Sequence, residues 1–141
     1  MANIQNTLAI IKPSAVKSKY TGNILYTIEQ SEFEIVKIKN IHLTPSQAKA
    51  FYIEHKDRPF FDTLVEMMSC GPVYVMILQA ENAIIRYREL MGATDPAKAS
   101  EGTLRKLYGI NIDSNAVHGS DSPESAIREI EFFFGSSDNR Q

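Results

Sequence analysis

The stretch "PVYVMILQA", residues 72–80, decides the fold. It is the most hydrophobic run in the chain, rich in Val, Ile and Tyr, opened by Pro72 and followed by the polar pair Glu81 and Asn82. Such a run has the length and composition of a strand, and its near-continuous apolar character puts it centrally in a sheet. Upstream, "TLAIIK", 7–12, is apolar and β-branched and is ended by Pro13, which reads as a first strand. "TGNILYTIEQS" carries Ile24, Leu25 and Ile28 at the spacing of a short amphipathic helix, and "FEIVKIKNIHL", 33–43, alternates in part like a second strand. Thr44 and Pro45 then read as N-cap and first residue of a helix over "PSQAKAFYIEHK", and "RPFFDTLVEMMSCG" repeats the pattern from Pro59 to Gly71. Downstream, "ENAIIRYRELMG" is a helix stopped by Gly92, and the segment from Ala93 thins into an extended loop with one helical turn. "NAVHG" is a brief strand, and Ser122 with Pro123 caps a last helix, "PESAIREIEFFF". Four strands interleaved with helices imply an α+β sandwich of the βαββαβ type. Residues 1–141 read as a single domain ending in a polar tail at about 135–141.

Composition narrows the function classes. A hydrophobic fraction of 43% supplies a core, and fifteen basic against seventeen acidic residues give a net charge of −2. That balance supplies no general pull toward nucleic acid or membrane surfaces, so neither is expected as main ligand. The single cysteine, Cys70, excludes an intramolecular disulfide; at a helix end its thiol is expected to be packed and inert. The apolar run before Lys12 and Pro13 is too short for a signal sequence or membrane span, which makes a cytoplasmic protein the expectation.

Familiar catalytic signatures are missing. No Walker-type glycine loop, G-x-G-x-x-G, H-E-x-x-H, C-x-x-C or G-x-S-x-G occurs, so a protein-held metal has no support in the sequence. Histidines are commonly surface or satisfied-core residues, and His42 and His55 take that reading. His118 has two: a polar residue in a turn, or a reactive group at a strand end. It stands at the end of "NAVHG", before Gly119, which permits close approach of another backbone or a ligand. Histidine attacks phosphorus when one ring nitrogen is free and the other is held. In the last helix Ala126, Ile127, Ile130, Phe133 and Phe134 form one apolar face, with Glu129 on its flank and Arg128 and Glu131 pointing away. A helix folded back on the strand would aim Glu129 at the imidazole, or leave it a solvated glutamate. Phosphoryl transfer also needs cations. Lys12, Arg88 and Arg105 are available, although spacing alone does not bring them together. Phe60 and Phe61 read as core, or as a platform for a base.

Taken in order, "IKPSAV", "FYIEHKDRPFF", "SCGPV", "RYRELMGATDPAKA", "GTLRKLYG" and above all "NAVHGSDSPESAIREI" resemble the nucleoside diphosphate kinase family over nearly the whole chain. The resemblance implies a ferredoxin-like βαββαβ core with a four-stranded antiparallel sheet and helices packed on it. It also implies a ping-pong reaction maintaining nucleoside triphosphate pools, in which the γ-phosphoryl group of a nucleoside triphosphate passes to His118 and from there to a nucleoside diphosphate. In the family the matching histidine attacks through Nδ1. Glu129 matches the glutamate that orients it, Ser120 a hydroxyl near that glutamate, and Tyr52 a neighbour of the histidine. Lys12, Arg88, Thr94 and Arg105 match phosphate ligands, Asn115 a ribose and phosphate contact, and Phe60 the stacking platform for the base. Mg²⁺ would arrive on the nucleotide phosphates and need few protein ligands. A homo-oligomer, tetramer or hexamer, is implied, and the short tail resembles bacterial members.

Ser14, Cys70, Glu101 and Leu107 depart from the common family pattern, and Glu101 and Leu107 flank the loop that carries Arg105. The other class of function, a non-catalytic nucleotide-binding regulatory protein of the same fold, would be marked by loss of the nucleophile or a phosphate ligand. Both are present.

Overall fold

The computed structural model describes residues 3–135. The expected polar tail, apart from Gly135, lies outside the described residues. Four strands form one antiparallel sheet: β1 (Ile4–Ile11), β2 (Glu34–Ile41), β3 (Val73–Glu81) and β4 (Val117–Gly119), in the order β2-β3-β1-β4. The stretch at 72–80 is therefore an inner strand, paired on both sides. Among the described residues, seven helices surround the sheet: α1 (Pro13–Lys17), α2 (Thr21–Gln30), α3 (Pro45–Phe51), α4 (Phe61–Ser69), α5 (Ala83–Met91), α6 (Leu104–Tyr108) and α7 (Pro123–Phe134).

Alternation along the inner strands divides the core in two, because successive side chains leave a strand on opposite faces. Ala9 and Ile11 of β1, with Met76 and Leu78 of β3, pack against Ile24 and Ile28 of α2, Tyr87 and Met91 of α5, and Leu104 of α6. Leu8 and Ile10, with Val73, Val75 and Ile77, pack on the other face against Ala48 and Phe51 of α3, Val65 and Met68 of α4, and Ile130 and Phe133 of α7. Both faces are covered, which is why β3 reads as apolar throughout. β2 is an edge strand, interrupted by a bulge between Ile35 and Lys37; Ile35 packs on one face, Val36 and Ile41 on the other, and the middle of the strand is exposed.

Caps stand where the residue types demand them. Thr44 and Gln47 form a reciprocal capping box at the start of α3, and the Ser122 hydroxyl accepts from the Ser125 N–H at the start of α7. Several local expectations need correction. Pro13 does not merely end β1: it is the first residue of α1. The helix after Thr44 stops at Phe51, giving way to a 3₁₀ turn over Ile53–His55, and α4 begins at Phe61 rather than at Pro59. The loop after Gly92 holds two ordered turns, a 3₁₀ turn over Pro96–Lys98 capped by Asp95 and α6 capped by Thr103. Ile127 is half exposed, not part of the buried face of α7. Cys70 is exposed rather than packed, its thiol donating to the Met67 carbonyl at 3.4 Å. Among the described residues, no helix is long and apolar enough to cross a membrane.

Candidate active site

His118 sits in the middle of β4, directly opposite Ile10 of β1. Paired residues share a face, so its imidazole leaves the sheet on the side covered by α3, α4 and α7. There the ring meets Phe51 edge-on at 5.4 Å between centroids and Tyr52 at 6.2 Å. α7 returns along the same face, and its buried residue Glu129 reaches the imidazole: His118 Nε2 lies 2.9 Å from Glu129 Oε1. A carboxylate accepts only, so Nε2 carries the proton and Nδ1 of the neutral ring keeps its lone pair. Ser120, 1% exposed, donates its hydroxyl to the same Oε1 at 2.8 Å and accepts from the Leu8 N–H at 3.2 Å. The carboxylate that holds the histidine is thus itself tied to the sheet.

Gly119 is explained by packing. A Cβ there would come within 2.6 Å of the Tyr87 ring and 2.8 Å of Met91, so the close approach it permits is that of α5. Just before β4 the chain turns sharply. Ala116 has φ 78°, and the Val117 N–H bonds to the Asn115 carbonyl at 3.0 Å. A non-glycine residue at positive φ is held against its preference, here by the Lys12 N–H donating to the Ala116 carbonyl at 2.8 Å.

Lys12, Arg88 and Arg105 line the same cleft as the imidazole. Lys12 is buried just past the end of β1, and its ammonium donates to Asn115 Oδ1 at 2.7 Å. Burial first, then the nearby Arg105 charge, bring its pKa down to about 7, with Asp113 opposing. The Asn115 amide donates to the Thr94 carbonyl at 3.0 Å, linking β1, the loop after α5 and the turn before β4. Arg105 donates to the carbonyls of Gly92 and Val117, both at 3.0 Å. Burial lowers its pKa from the usual guanidinium value. Tyr52 is buried with its hydroxyl unpartnered among the described residues. Burial, and secondarily the Glu129 charge, push the phenol well up, so it remains an O–H donor.

These groups line one cleft of about 540 Å³ that brings together Lys12, Tyr52, Phe60, Arg88, Thr94, Arg105, Asn115, His118 and Glu129. Of the residues singled out from the sequence, Ser120 and Phe61 are not on its wall; Ser120 lies behind Glu129. Phe60 is 44% exposed at the rim, while Phe61 packs toward the core. Other cleft residues escaped the sequence reading, His55, Ile112, Asp121 and Arg128 among them. His55, read as ordinary, faces Phe60 at 5.6 Å, and its position between "FYIE" and "RPFF" was the available signal. Ile112, 55% exposed, lines the same cleft. Asp121 lies within "HGSDS"; the Ser125 hydroxyl, donating at 2.7 Å, holds its carboxyl below the usual carboxylate range against the opposing effect of burial, with Arg88 assisting. Arg128, placed by helical periodicity on the far side of α7, curls back into the cleft.

A histidine held by a carboxylate, in a cleft shared with cations and an exposed aromatic ring, has the chemistry of a phosphotransferase site for nucleotides. Comparison with known proteins gives the particular family. Residues 5–139 match the family described as nucleoside diphosphate kinase. The chain is 54% identical over 132 residues to the nucleoside diphosphate kinase of Persephonella marina, covering 94% of each, and 55% identical over 131 residues to that of Geotalea uraniireducens, covering 93% of this chain and 96% of the relative. Its fold superposes on the Aquifex aeolicus nucleoside diphosphate kinase with a TM-score of 0.93, at 41% identity and covering 97% and 99% of the two chains. A structure of the Halobacterium salinarum enzyme in complex with CDP gives 0.91, at 34% identity and covering 97% and 91%. The chain belongs to the nucleoside diphosphate kinase family, and its activity is phosphoryl transfer from a nucleoside triphosphate to a nucleoside diphosphate.

Proposed function

We propose that His118 is the phosphate carrier of a ping-pong cycle. Its Nδ1 lone pair attacks the γ-phosphorus, the bond to the β–γ bridging oxygen breaks, and the diphosphate leaves with the electron pair. A terminal oxygen of a second nucleoside diphosphate then attacks the same phosphorus and the N–P bond breaks, restoring the imidazole. The observation that carries this reading is the 2.9 Å contact between Nε2 and Glu129, because it commits one nitrogen to the carboxylate and frees the other. As phosphorus bonds to Nδ1 the ring gains positive charge, which Glu129, fixed by Ser120, stabilises without reorganisation.

Lys12, Arg88, Arg105 and Thr94 act as phosphate ligands, Asn115 as a ribose and phosphate contact, and the Tyr52 hydroxyl as a donor beside the reacting group. The unpartnered Arg105 Nε–H and Tyr52 O–H support these assignments, since buried donors are ordinarily paired. Phe60 stacks the base, worth about 1–3 kcal/mol without reading base edges, which fits broad nucleotide use. The relative from Halobacterium salinarum, solved with CDP, supports a nucleotide in the matching cleft.

Mg²⁺ belongs to the substrate as its phosphate complex. The donor set fits that arrangement: Asp121 and Asp113 line the cleft, few ligands for an ion that keeps waters and takes its remaining oxygens from phosphates. Those carboxylates would face its hydration shell, and the ion would spread the charge that develops on the phosphates. We further infer a single-domain protein that works in the cytoplasm as a tetramer or hexamer.

Intact-protein mass after brief mixing with MgATP tests the carrier role. One added phosphoryl group is expected, acid-labile, discharged by GDP and absent in His118→Ala. No adduct on a wild-type chain that binds ATP would leave a nucleotide-binding regulator instead.

A further inference from the structure

Helical geometry sends Arg128 away from the buried face of α7, yet its guanidinium ends in the cleft. One nitrogen, Nη2, lies 2.6 Å from Glu54 Oε1 and 3.7 Å from Glu129 Oε2, and Nη1 donates to the Phe51 carbonyl at 3.5 Å. The contact with Glu129 matters because of what its two oxygens do. Oε1 already accepts from His118 and from Ser120. Oε2 faces Arg128. The carboxylate is 7% exposed, whereas Arg128 is 41% exposed and reaches in from the rim.

We propose that Arg128 is a positioning residue for phosphoryl transfer, a guanidinium that fixes the second oxygen of Glu129 and couples it through Glu54 to the wall carrying Tyr52, His55 and Phe60. This rests on the reading of His118 as nucleophile. A carboxylate held through one oxygen still swings about its Cγ–Cδ bond, and that swing carries the imidazole with it. A charge on the other oxygen narrows the swing. The same guanidinium ties α7 to the 3₁₀ turn over Ile53–His55, so the helix that aims the nucleophile and the wall that seats the base keep their spacing.

The planar fork is the reason for arginine: it presents several N–H groups to carboxylates and a carbonyl at once, where lysine offers one compact charge. Its effect on the chemistry is modest, since a partly exposed ion pair at 3.7 Å is screened by water.

The test is the rate constant for phosphorylation of His118 at saturating MgATP, read by rapid quench and intact mass, with melting temperature measured in parallel. The wild type must first form the adduct; failure there removes the carrier reading and is seen before any variant is made. Arg128→Ala is expected to lower the rate constant about three- to five-fold, and Arg128→Lys to recover at least about half of the loss. The decisive comparison is a double-mutant cycle with Glu129→Gln. If Arg128 acts through Glu129, adding Arg128→Ala to Glu129→Gln changes the rate constant by less than a factor of about two. Full additivity of the two effects overturns the proposal, as does a wild-type rate constant in Arg128→Ala with only the half-saturating MgATP concentration raised. A rate loss that tracks melting temperature and is not recovered by Arg128→Lys also overturns it, reducing Arg128 to a brace. Arg128→Lys keeps the cycle interpretable if Arg128→Ala does not fold.

Discussion

Removing the hydroxyl of Ser120 should damage the protein twice, because one oxygen serves both the sheet and the nucleophile. The β1–β4 ladder ends at the pair Ala9 and Gly119, and beyond it the Leu8 N–H turns to Ser120 Oγ at 3.2 Å. The same hydroxyl donates to Glu129 Oε1 at 2.8 Å. In Ser120→Ala a buried N–H loses its side-chain acceptor, at a cost of about 1–3 kcal/mol, and a buried carboxylate loses a donor, worth about 1.5–3 kcal/mol. Glu129 keeps His118, and both losses come from one atom, so the lower part of the summed range applies, about 2.5–4 kcal/mol. At about 2–4 °C per kcal/mol for a domain of this size, the melting temperature should fall by about 5–15 °C. Urea unfolding at fixed protomer concentration measures the same loss, with concentration held because subunit association contributes to apparent stability. Phosphorylation of His118 should slow by about tenfold, the lower range seen when a group orienting a reactive residue is removed. A variant whose midpoint moves by less than about 0.5 kcal/mol would refute the stability argument. A variant that loses stability yet phosphorylates at the wild-type rate would refute the chain of support from Ser120 through Glu129 to His118.

Lys12 should make nucleotide binding take up a proton. Its pKa near 7 leaves it neutral in the free protein above that pH, and adjacent phosphate oxygens favour the charged form, so ADP affinity should fall as pH rises from 7 toward 10.5; calorimetry in buffers of different ionisation enthalpy should show the uptake, and Lys12→Met should abolish it. The same depressed pKa means the unfolded chain binds more protons in that window, so the free protein gains stability from pH 7 to 10.5 and Lys12→Met loses this gain; an unchanged slope would contradict the burial argument. Glu101 and Gly102 form the middle of a turn in which the Thr103 N–H bonds to the Ser100 carbonyl at 3.2 Å, with Gly102 at φ 86°. That is type II geometry, which favours proline at the position of Glu101, so Glu101→Pro should add about 0.4–1 kcal/mol and raise the melting temperature by about 1–4 °C, and no rise would show that the turn is not held in this form.

What the sequence made legible was whatever depends on local order. The inner strand at 72–80, the Thr44 and Ser122 caps and the Gly92 stop are written in residues adjacent to the feature they produce. The pairing of Glu129 with His118 was half legible: helical periodicity put Glu129 on the flank of the apolar face, which left a partner for the imidazole or a solvated glutamate, and the structure shows the former. The misses have a common cause. Pro13 opens a helix instead of only closing a strand, since its fixed φ suits either role and the choice lies with Ala15 packing into the core. Arg128 was placed by the direction of its Cβ, whereas a long side chain ends where its charge finds carboxylates. The gathering of Lys12, Arg105 and Asn115 is a property of strand order. Nothing in their spacing shows that β1 and β4 are neighbours, and only the resemblance to a family carried that information.

The cleft also shows where the fold accepts local cost. Ala116 holds a positive φ, Lys12 is buried at the expense of its charge, and Tyr52 and Arg105 keep buried N–H or O–H groups without protein partners among the described residues. Ala116 and Lys12 meet at one end of the β1–β4 pair, and Lys12, Tyr52 and Arg105 line the cleft. Unpartnered buried hydroxyls also occur off the cleft wall, at Thr7 of β1, Ser14 and Tyr87, whereas the backbone of the inner strands is paired in ladders. Such costs persist only where the surrounding structure enforces them, and here each enforcing contact is itself part of the site: Lys12 N–H on the Ala116 carbonyl, Asn115 on the Lys12 ammonium, the Val117 carbonyl on Arg105. The strain at Ala116 and the burial of Lys12 are therefore one arrangement. Lys12, Tyr52 and Arg105 line the same cleft as His118, and the negative oxygens of a bound phosphate there would supply partners for the unpartnered Tyr52 and Arg105 donors.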